Sequence, residues 1–426
     1  MDLTKANTDD VRKHHDDARA RMEQLRGRNL SLDMTRGKPS PEQLSLSDDL
    51  LIAVKPGDTT GEDGTDLRNY GGIAGIPEAR RLFGAYLGTS PEQVVVGGNS
   101  SLAMMWDVLS NAMSYGMPGG EGPWRDQSPK FICPVPGYDR HFAICERLGI
   151  EMITVEMTPS GPDMDAVQAL VKDDPSVKGI WCVPKYSNPS GETYTEETVE
   201  ALASMPAAAA DFLILWDNAY AVHHLGEGPA SLSDILKACD TAGNPDRAII
   251  FGSTSKLTLA GAGVAMLASS QANVKDHLEK INYAMIGPDK INQLRHVRFF
   301  KDMDGILAHM KKHAEIVAPK FAAVNDALEK NLGGTGLATW TRPEGGYFVS
   351  VDVLDGCASA VIARCAEAGV KMTPAGSTYP YGKDPYDRNI RIAPTLPGVD
   401  EIRIAMTVLT AAITEICTKK LMQGQV

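Results

Sequence analysis

Between residues 94 and 267 the chain repeats one pattern: a short apolar run, a few small or polar residues, then a longer segment with helical spacing. The apolar runs are 94–96, 131–133, 152–155, 179–183, 212–216, 248–251 and 264–267. They are continuous rather than alternating, as expected of strands covered on both faces. Strands of that kind separated by helices predict an α/β fold around a mostly parallel sheet. After residue 273 the chain reads as helical for about sixty residues, with a long helix over 306–332. Strands at 347–351 and 389–392 and helices at 358–368 and 401–418 follow. A first helix begins near a Thr8 cap and places Val11, Ala18, Met22 and Leu25 on one face. The expected organisation is a large domain over 50–300 and a smaller α+β domain over 301–426, which residues 1–49 join.

The ends of the apolar runs carry the chemistry. The 248–251 run leads into Gly252-Ser253-Thr254-Ser255-Lys256. A free cation at the end of a core strand is costly. As a Schiff base with an aldehyde cofactor the amine joins a conjugated system, and Ser253 and Ser255 can donate to a phosphate. Asp217 ends the 212–216 run. A lone carboxylate there needs a cationic partner, which a protonated ring nitrogen would supply, with Tyr220 on the other side of the ring. Gly98-Asn99-Ser100-Ser101 joins a strand to a helix. Helix N-termini with hydroxyls bind phosphate, although the same residues are ordinary caps. Tyr138 can lie on an aromatic ligand, and His141 points into the same cleft. In Asn188-Pro189-Ser190-Gly191 the asparagine can donate to an anionic oxygen. Arg391, inside the apolar stretch 389–393, wants a carboxylate. No acidic residue adjoins it, so a substrate carboxylate is expected. A glycine-rich loop, Asn69-Tyr70-Gly71-Gly72-Ile73-Ala74-Gly75, displays one tyrosine. Each motif taken alone also has a plainer reading as a surface lysine, a cap, a turn or a structural histidine.

Other signals are discounted. His309 and His313 have helical spacing but lack the glutamate of a zinc protease, and are read as a solvated face. Gly261-Ala262-Gly263 precedes a strand, so it is not a dinucleotide fingerprint. No metal site is expected. The formal net charge of -12 argues against nucleic acid or an anionic membrane as partner. Seven cysteines form no CxxC pair and several lie in apolar runs, which suits a reducing compartment. Residues 1–28 are highly charged with no apolar signal-peptide core, and no stretch has the length of a membrane span. A cytoplasmic protein is expected.

Taken in order, these segments resemble the fold-type I pyridoxal phosphate enzymes, specifically the class I aminotransferases, over nearly the whole chain. Thr35-Arg36-Gly37-Lys38-Pro39, Tyr70-Gly71-Gly72, Ser253-Thr254-Ser255-Lys256 and Gly287-Pro288-Asp289-Lys290 look like a divergent bacterial group of aspartate aminotransferases. That group is similar to the aminotransferase-like part of MocR regulators. The resemblance implies that Lys256 carries pyridoxal 5'-phosphate and shuttles the proton. Asp217 would pair with the ring nitrogen, supported by His141, and Tyr138 would stack on the ring. Asn188 and Tyr220 would bond the ring oxygen. Asn99, Ser100, Ser101, Ser253, Ser255 and the neighbouring subunit's tyrosine at position 70 would hold the phosphate, in a homodimer with shared sites. Arg391 would bind the substrate α-carboxylate, with Gly37 and Lys38 also at the substrate. For a distal carboxylate, Lys290 is the expected cation, with Lys38, Arg36 and Lys185 as competitors. One departure stands out: the family's phosphate-binding arginine, eight residues after the lysine, is Val264 here.

The implied activity is ping-pong amino exchange between aspartate or glutamate and 2-oxo acids. A broader transaminase or a pyridoxal phosphate lyase is the alternative. A MocR-type regulator is disfavoured by the acidic chain and by the roughly thirty residues before Thr35-Arg36-Gly37, too few for a DNA-binding domain.

Overall fold

The computed structural model describes residues 1–424. The strand-helix pattern folds into an eight-stranded sheet. In chain order its strands are β1 (Val94–Val96), β2 (Lys130–Val135), β3 (Glu151–Thr158), β4 (Gly161–Pro162), β5 (Val177–Cys182), β6 (Leu213–Asp217), β7 (Ala248–Ser253) and β8 (Ala265–Ala268). The spatial order is β1-β8-β7-β6-β5-β2-β3-β4. Strands β3, β2, β5, β6 and β7 pair in parallel, while β8 runs antiparallel to both β7 and β1. Strands β5 and β6 are buried at every position, as their mostly apolar sequences require; the one lysine of β5, Lys178, is buried against Asp211 at 2.8 Å.

Parallel strands point their C-terminal ends to one edge, and ligands of open α/β sheets bind along that edge. Asp217 is the last residue of β6, Ser253 the last of β7, and Tyr138 follows β2 after Pro136-Gly137. The topology thus gathers segments far apart in sequence. The helix Ser101–Tyr115 presents its N-terminus to the same region, because Asn99 bonds Gly261 and receives a bond from Ser255.

A second apolar core joins Leu3, Met22, Leu25 and Met34 to residues between Val317 and Cys417. A three-stranded antiparallel sheet of Ala338–Trp340, Val349–Val353 and Asn389–Ile392 lies within it. The N-terminal segment is stitched to this part by a parallel pairing of Leu32–Asp33 with Val370–Lys371. The long helix Met303–Leu332 serves both cores: Ile306 and Met310 pack with the large sheet, Val317 and later residues with the second. The division expected between residues 300 and 301 falls in the short link just before this helix, which begins at Met303 and contributes to both cores.

Two local expectations are corrected. The first helix, Thr8–Arg26, is capped by Asn7, whose side chain accepts from the Asp10 amide. His309 and His313 are not on a solvated face; both are buried, at 6% and 2% exposure. All seven cysteines are buried and unpaired. No helix among the described residues is long and apolar enough to cross a membrane.

Candidate active site

Asp217 is buried, and its Oδ2 lies 3.0 Å from His141 Nε2. The His141 ring stacks on Trp181 at 4.1 Å, with 5° between the planes, and meets the edge of Tyr138 at 4.9 Å. This packing fixes the imidazole, and the imidazole fixes one carboxylate oxygen. The other, Oδ1, is buried with no hydrogen-bond partner among the described residues. An orphaned carboxylate oxygen in a core is expensive, and a protonated ring nitrogen is the kind of group that would satisfy it.

Lys256 follows β7 across a tight turn. Its Nζ lies 4.7 Å from the centre of the Tyr220 ring and 5.9 Å from that of Tyr347. Burial lowers its pKa from the usual 10.5, opposed only in part by the charge of Asp217. Among the described residues no carboxylate lies within ion-pair distance of it. The turn is braced from behind: Thr254 and Thr258 bond His296 Nε2, at 3.1 and 3.0 Å. Burial raises the hydroxyl pKa of Tyr138 to about 12 and that of Tyr220 well above 10, with Asp217 adding to both. Both are neutral donors at any working pH.

The serines after β7 meet the helix N-terminus. Ser253 Oγ lies 2.8 Å from Ser255 Oγ, which lies 3.2 Å from the Asn99 carbonyl. Ser100 caps its helix by accepting from Ala103, and Ser101 is the first helical residue. Five hydroxyl or amide residues, Asn99, Ser100, Ser101, Ser253 and Ser255, thus gather at a helix N-terminus, a combination suited to an anion. Val264 is buried, its amide bonded to Thr254 Oγ1, so no cation enters from that position.

Arg391 sits on the opposite wall. Its guanidinium lies 4.9 Å from the centre of the Phe348 ring. Nη1 reaches Asp139 at 3.2 Å and Asn188 Oδ1 at 3.4 Å, while Nε is buried without a partner. The expectation of no acidic neighbour is corrected: Asp139, brought from β2's end, is that neighbour. One side of the guanidinium still remains for a carboxylate. Gly37 packs on the same Phe348, where a Cβ would come within 2.3 Å of Cζ, so any larger residue would displace the ring.

Lys290, the cation expected for a distal carboxylate, has backbone partners in its own chain. Its ammonium is buried and donates to the carbonyls of Asn69 at 2.6 Å and Gly71 at 2.7 Å. It clamps the loop that displays Tyr70, which is 79% exposed and so lies outside its own chain's cleft. Of the competitors, Lys38 and Arg36 are exposed. Lys185 is buried, three residues before Asn188, and burial lowers its pKa with no acid offsetting it. Sequence reasoning missed Tyr347 and Phe348, whose signal was an aromatic pair after Gly345-Gly346. It also missed Gln43, which carries no signal of its own.

The aspartate amino-transferase family model matches residues 3–425. An aspartate aminotransferase of Corynebacterium glutamicum is 49% identical over 393 residues, covering 92% of this chain and 91% of its own. A crystal structure of an aspartate transaminase from Corynebacterium glutamicum has a TM-score of 0.97 at 46% identity, covering 99% of both chains. At 19% identity and a TM-score of 0.74, the α-aminoadipate aminotransferase of Thermus thermophilus shares the fold, covering 97% of this chain and 96% of its own.

Proposed function

The chain belongs to the aspartate amino-transferase family, and from that premise we propose that it binds pyridoxal 5'-phosphate at Lys256. It exchanges the amino group between aspartate or glutamate and their 2-oxo acids, by a ping-pong mechanism, in a homodimer. The single observation that carries the cofactor reading is the orphaned Oδ1 of Asp217, buried in the same cleft as a lysine that has no carboxylate partner.

When bound, the cofactor supplies an electron sink for negative charge at the substrate α-carbon. Asp217 holds the proton on the ring nitrogen, and His141 keeps the carboxylate aimed. Tyr138 supports the ring face. Asn188 and Tyr220 donate toward the ring oxygen. Asn99, Ser100, Ser101, Ser253 and Ser255 hold the phosphate with the helix N-terminus, in place of the arginine that Val264 replaces. Tyr70, too exposed to serve its own site, reaches the phosphate in the neighbouring subunit. Arg391 binds the α-carboxylate through its free side, and Gly37 packs against Phe348, the ring beneath that guanidinium. Lys256, made less basic by burial, would take up the α-proton and return it. For the distal carboxylate the reading is Lys185 rather than the exposed Lys38 or Arg36, because Lys290 is bonded to the Tyr70 loop. A lysine is a point charge, which suits looser substrate discrimination than an arginine fork.

Steady-state assays over a panel of amino donors and 2-oxo acids test the reading. Parallel double-reciprocal lines, with aspartate and glutamate preferred over alanine, are expected. Comparable kcat/KM for neutral donors would make this a broad-specificity aminotransferase. Release of ammonia without an oxo-acid acceptor would make it a lyase.

A further inference from the structure

The two carbonyls at the catalytic turn are held by side chains from elsewhere. His309 Nε2 donates to the Leu257 carbonyl at 2.7 Å. Tyr347 Oη donates to the Lys256 carbonyl at 3.4 Å. The Tyr347 ring also flanks Lys256 Nζ, so one tyrosine touches both the backbone and the amine of this residue. His313 Nε2 lies 3.1 Å from His309 Nε2.

One side chain connects these holders. Gln43 is fully buried, and its Nε2 donates to Tyr347 Oη at 3.2 Å and to His313 Nδ1 at 3.1 Å. Its Oε1 accepts from the Ser40 amide, completing the cap of the helix Pro41–Ser45. Because His313 accepts at Nδ1, its own proton sits on Nε2, on the side of His309, whose Nε2 holds the Leu257 carbonyl. Burial keeps both histidines neutral, His313 most strongly, with its pKa lowered to about 4. Capping its helix needs only the oxygen of Gln43. The two nitrogen bonds serve something else.

The other end of this segment touches the substrate side. Gly37 packs on Phe348, the neighbour of Tyr347, and Phe348 carries the guanidinium of Arg391. Residues 37–43 therefore contact the ring under the carboxylate-binding arginine at one end and the groups holding the lysine turn at the other.

We propose that Gln43 is a positioning residue for Lys256: it transmits the seating of the N-terminal segment, through Tyr347 and His313, to the backbone from which the lysine reaches over Tyr220. The inference rests on Lys256 being the cofactor-bearing lysine. The test is Gln43→Met and Tyr347→Phe, singly and together, in the cofactor-loaded enzyme. Each single variant should lower kcat by about tenfold with KM changed less than about threefold, the signature of a lost transition-state arrangement. Each should also shift the pH midpoint of the visible cofactor band, which reports the surroundings of Lys256. The double variant should be no worse than the more impaired single one, because residues in one chain of contacts are not additive. If Gln43→Met does not fold, Tyr347→Phe carries the same expectations for kcat and the band. Wild-type kcat and an unmoved band with only a lower Tm would reduce Gln43 to a helix cap and overturn the proposal, and so would additive losses. Borohydride labelling of the wild-type protein is read alongside. Label absent from Lys256 there overturns the cofactor reading, and this inference with it; label present leaves the variants to decide the inference alone.

Discussion

His141 Nε2 lies 3.0 Å from one oxygen of Asp217, and the other oxygen of that buried carboxylate has no partner among the described residues. The two halves of the carboxylate have different duties. One is anchored to a histidine that Trp181 holds flat, and the other is buried without a partner among the described residues. Preorganised charge of this kind costs no rearrangement when the reaction occurs.

Asp217→Ala should therefore leave a folded protein that binds pyridoxal phosphate more weakly and transaminates at least ~100-fold more slowly, the scale of losing a preorganised electrostatic partner. Asp217→Glu should be milder. Steady-state kcat and cofactor titration check both. Equal, near-wild-type activity in the two variants would place the ring-nitrogen partner elsewhere.

Lys290→Met tests the clamp on the Tyr70 loop. A buried ammonium bonded to two carbonyls holds that loop in shape. Its loss should weaken cofactor binding by about tenfold, the scale of one or two lost charged hydrogen bonds, and leave the aspartate-to-alanine kcat/KM ratio unchanged. Mixing Lys256→Ala chains with Tyr70→Ala chains should recover activity, because one site of each heterodimer is then complete. A changed substrate ratio in Lys290→Met would return this residue to the substrate. A monomer in sedimentation would remove the shared site.

Lys185→Met addresses the distal carboxylate. KM for aspartate and glutamate should rise by roughly one to two orders of magnitude, because a carboxylate enclosed without a partner is strongly disfavoured. Alanine turnover should hardly change. The same profile in Lys38→Met instead would move the role to the N-terminal segment.

Much of the site was legible because a charged or polar residue at the end of an apolar run demands a partner. Asp217 ends such a run, Lys256 lies five residues past one and Arg391 lies inside one; each has a plainer reading alone and stands out only beside the other motifs. What the sequence hid was contact across distance. Asp139 is 252 positions from Arg391, and nothing local marks them as neighbours. Lys290 bonds backbone carbonyls, which leave no trace in residue type. His309 and His313 share a helix with Lys311 and Lys312, so the face reads as wet; Gln43 and Ser47, from the N-terminal segment, cover it. The parallel sheet was legible because strands buried on both faces have a composition of their own, while the long helix serving two cores has none.

Acid should weaken the fold through its buried histidines. His277, His296 and His313 are each pushed down to about 4 from the usual 6.5, chiefly by burial. His296 shows the reason in its bonds: Nδ1 donates to the Asn292 carbonyl, and Nε2 accepts from Thr254 and Thr258, so a second proton has no place. In the unfolded chain these groups take up protons near 6.5, in the folded chain only near 4. The unfolded state binds more protons in that window, so stability is full above about pH 6.5 and is lost as pH falls toward 4. Urea unfolding at several pH values checks this, and His296→Gln should flatten the slope. The carboxylates of Asp66 and Asp174, lowered to about 2, titrate in the folded protein below the window. A stability independent of pH between 6.5 and 4 would contradict the histidine account.

The central claim is that Lys256 carries the cofactor, and borohydride reduction followed by peptide mass spectrometry tests it most directly. Protein loaded with pyridoxal 5'-phosphate should be yellow, lose its visible band on reduction, and yield one phosphopyridoxyl-labelled peptide with the label on Lys256. Lys256→Ala should still bind the cofactor but yield no labelled peptide and no turnover. A label on Lys185, Lys290 or any other lysine, or normal turnover in Lys256→Ala, would contradict the account.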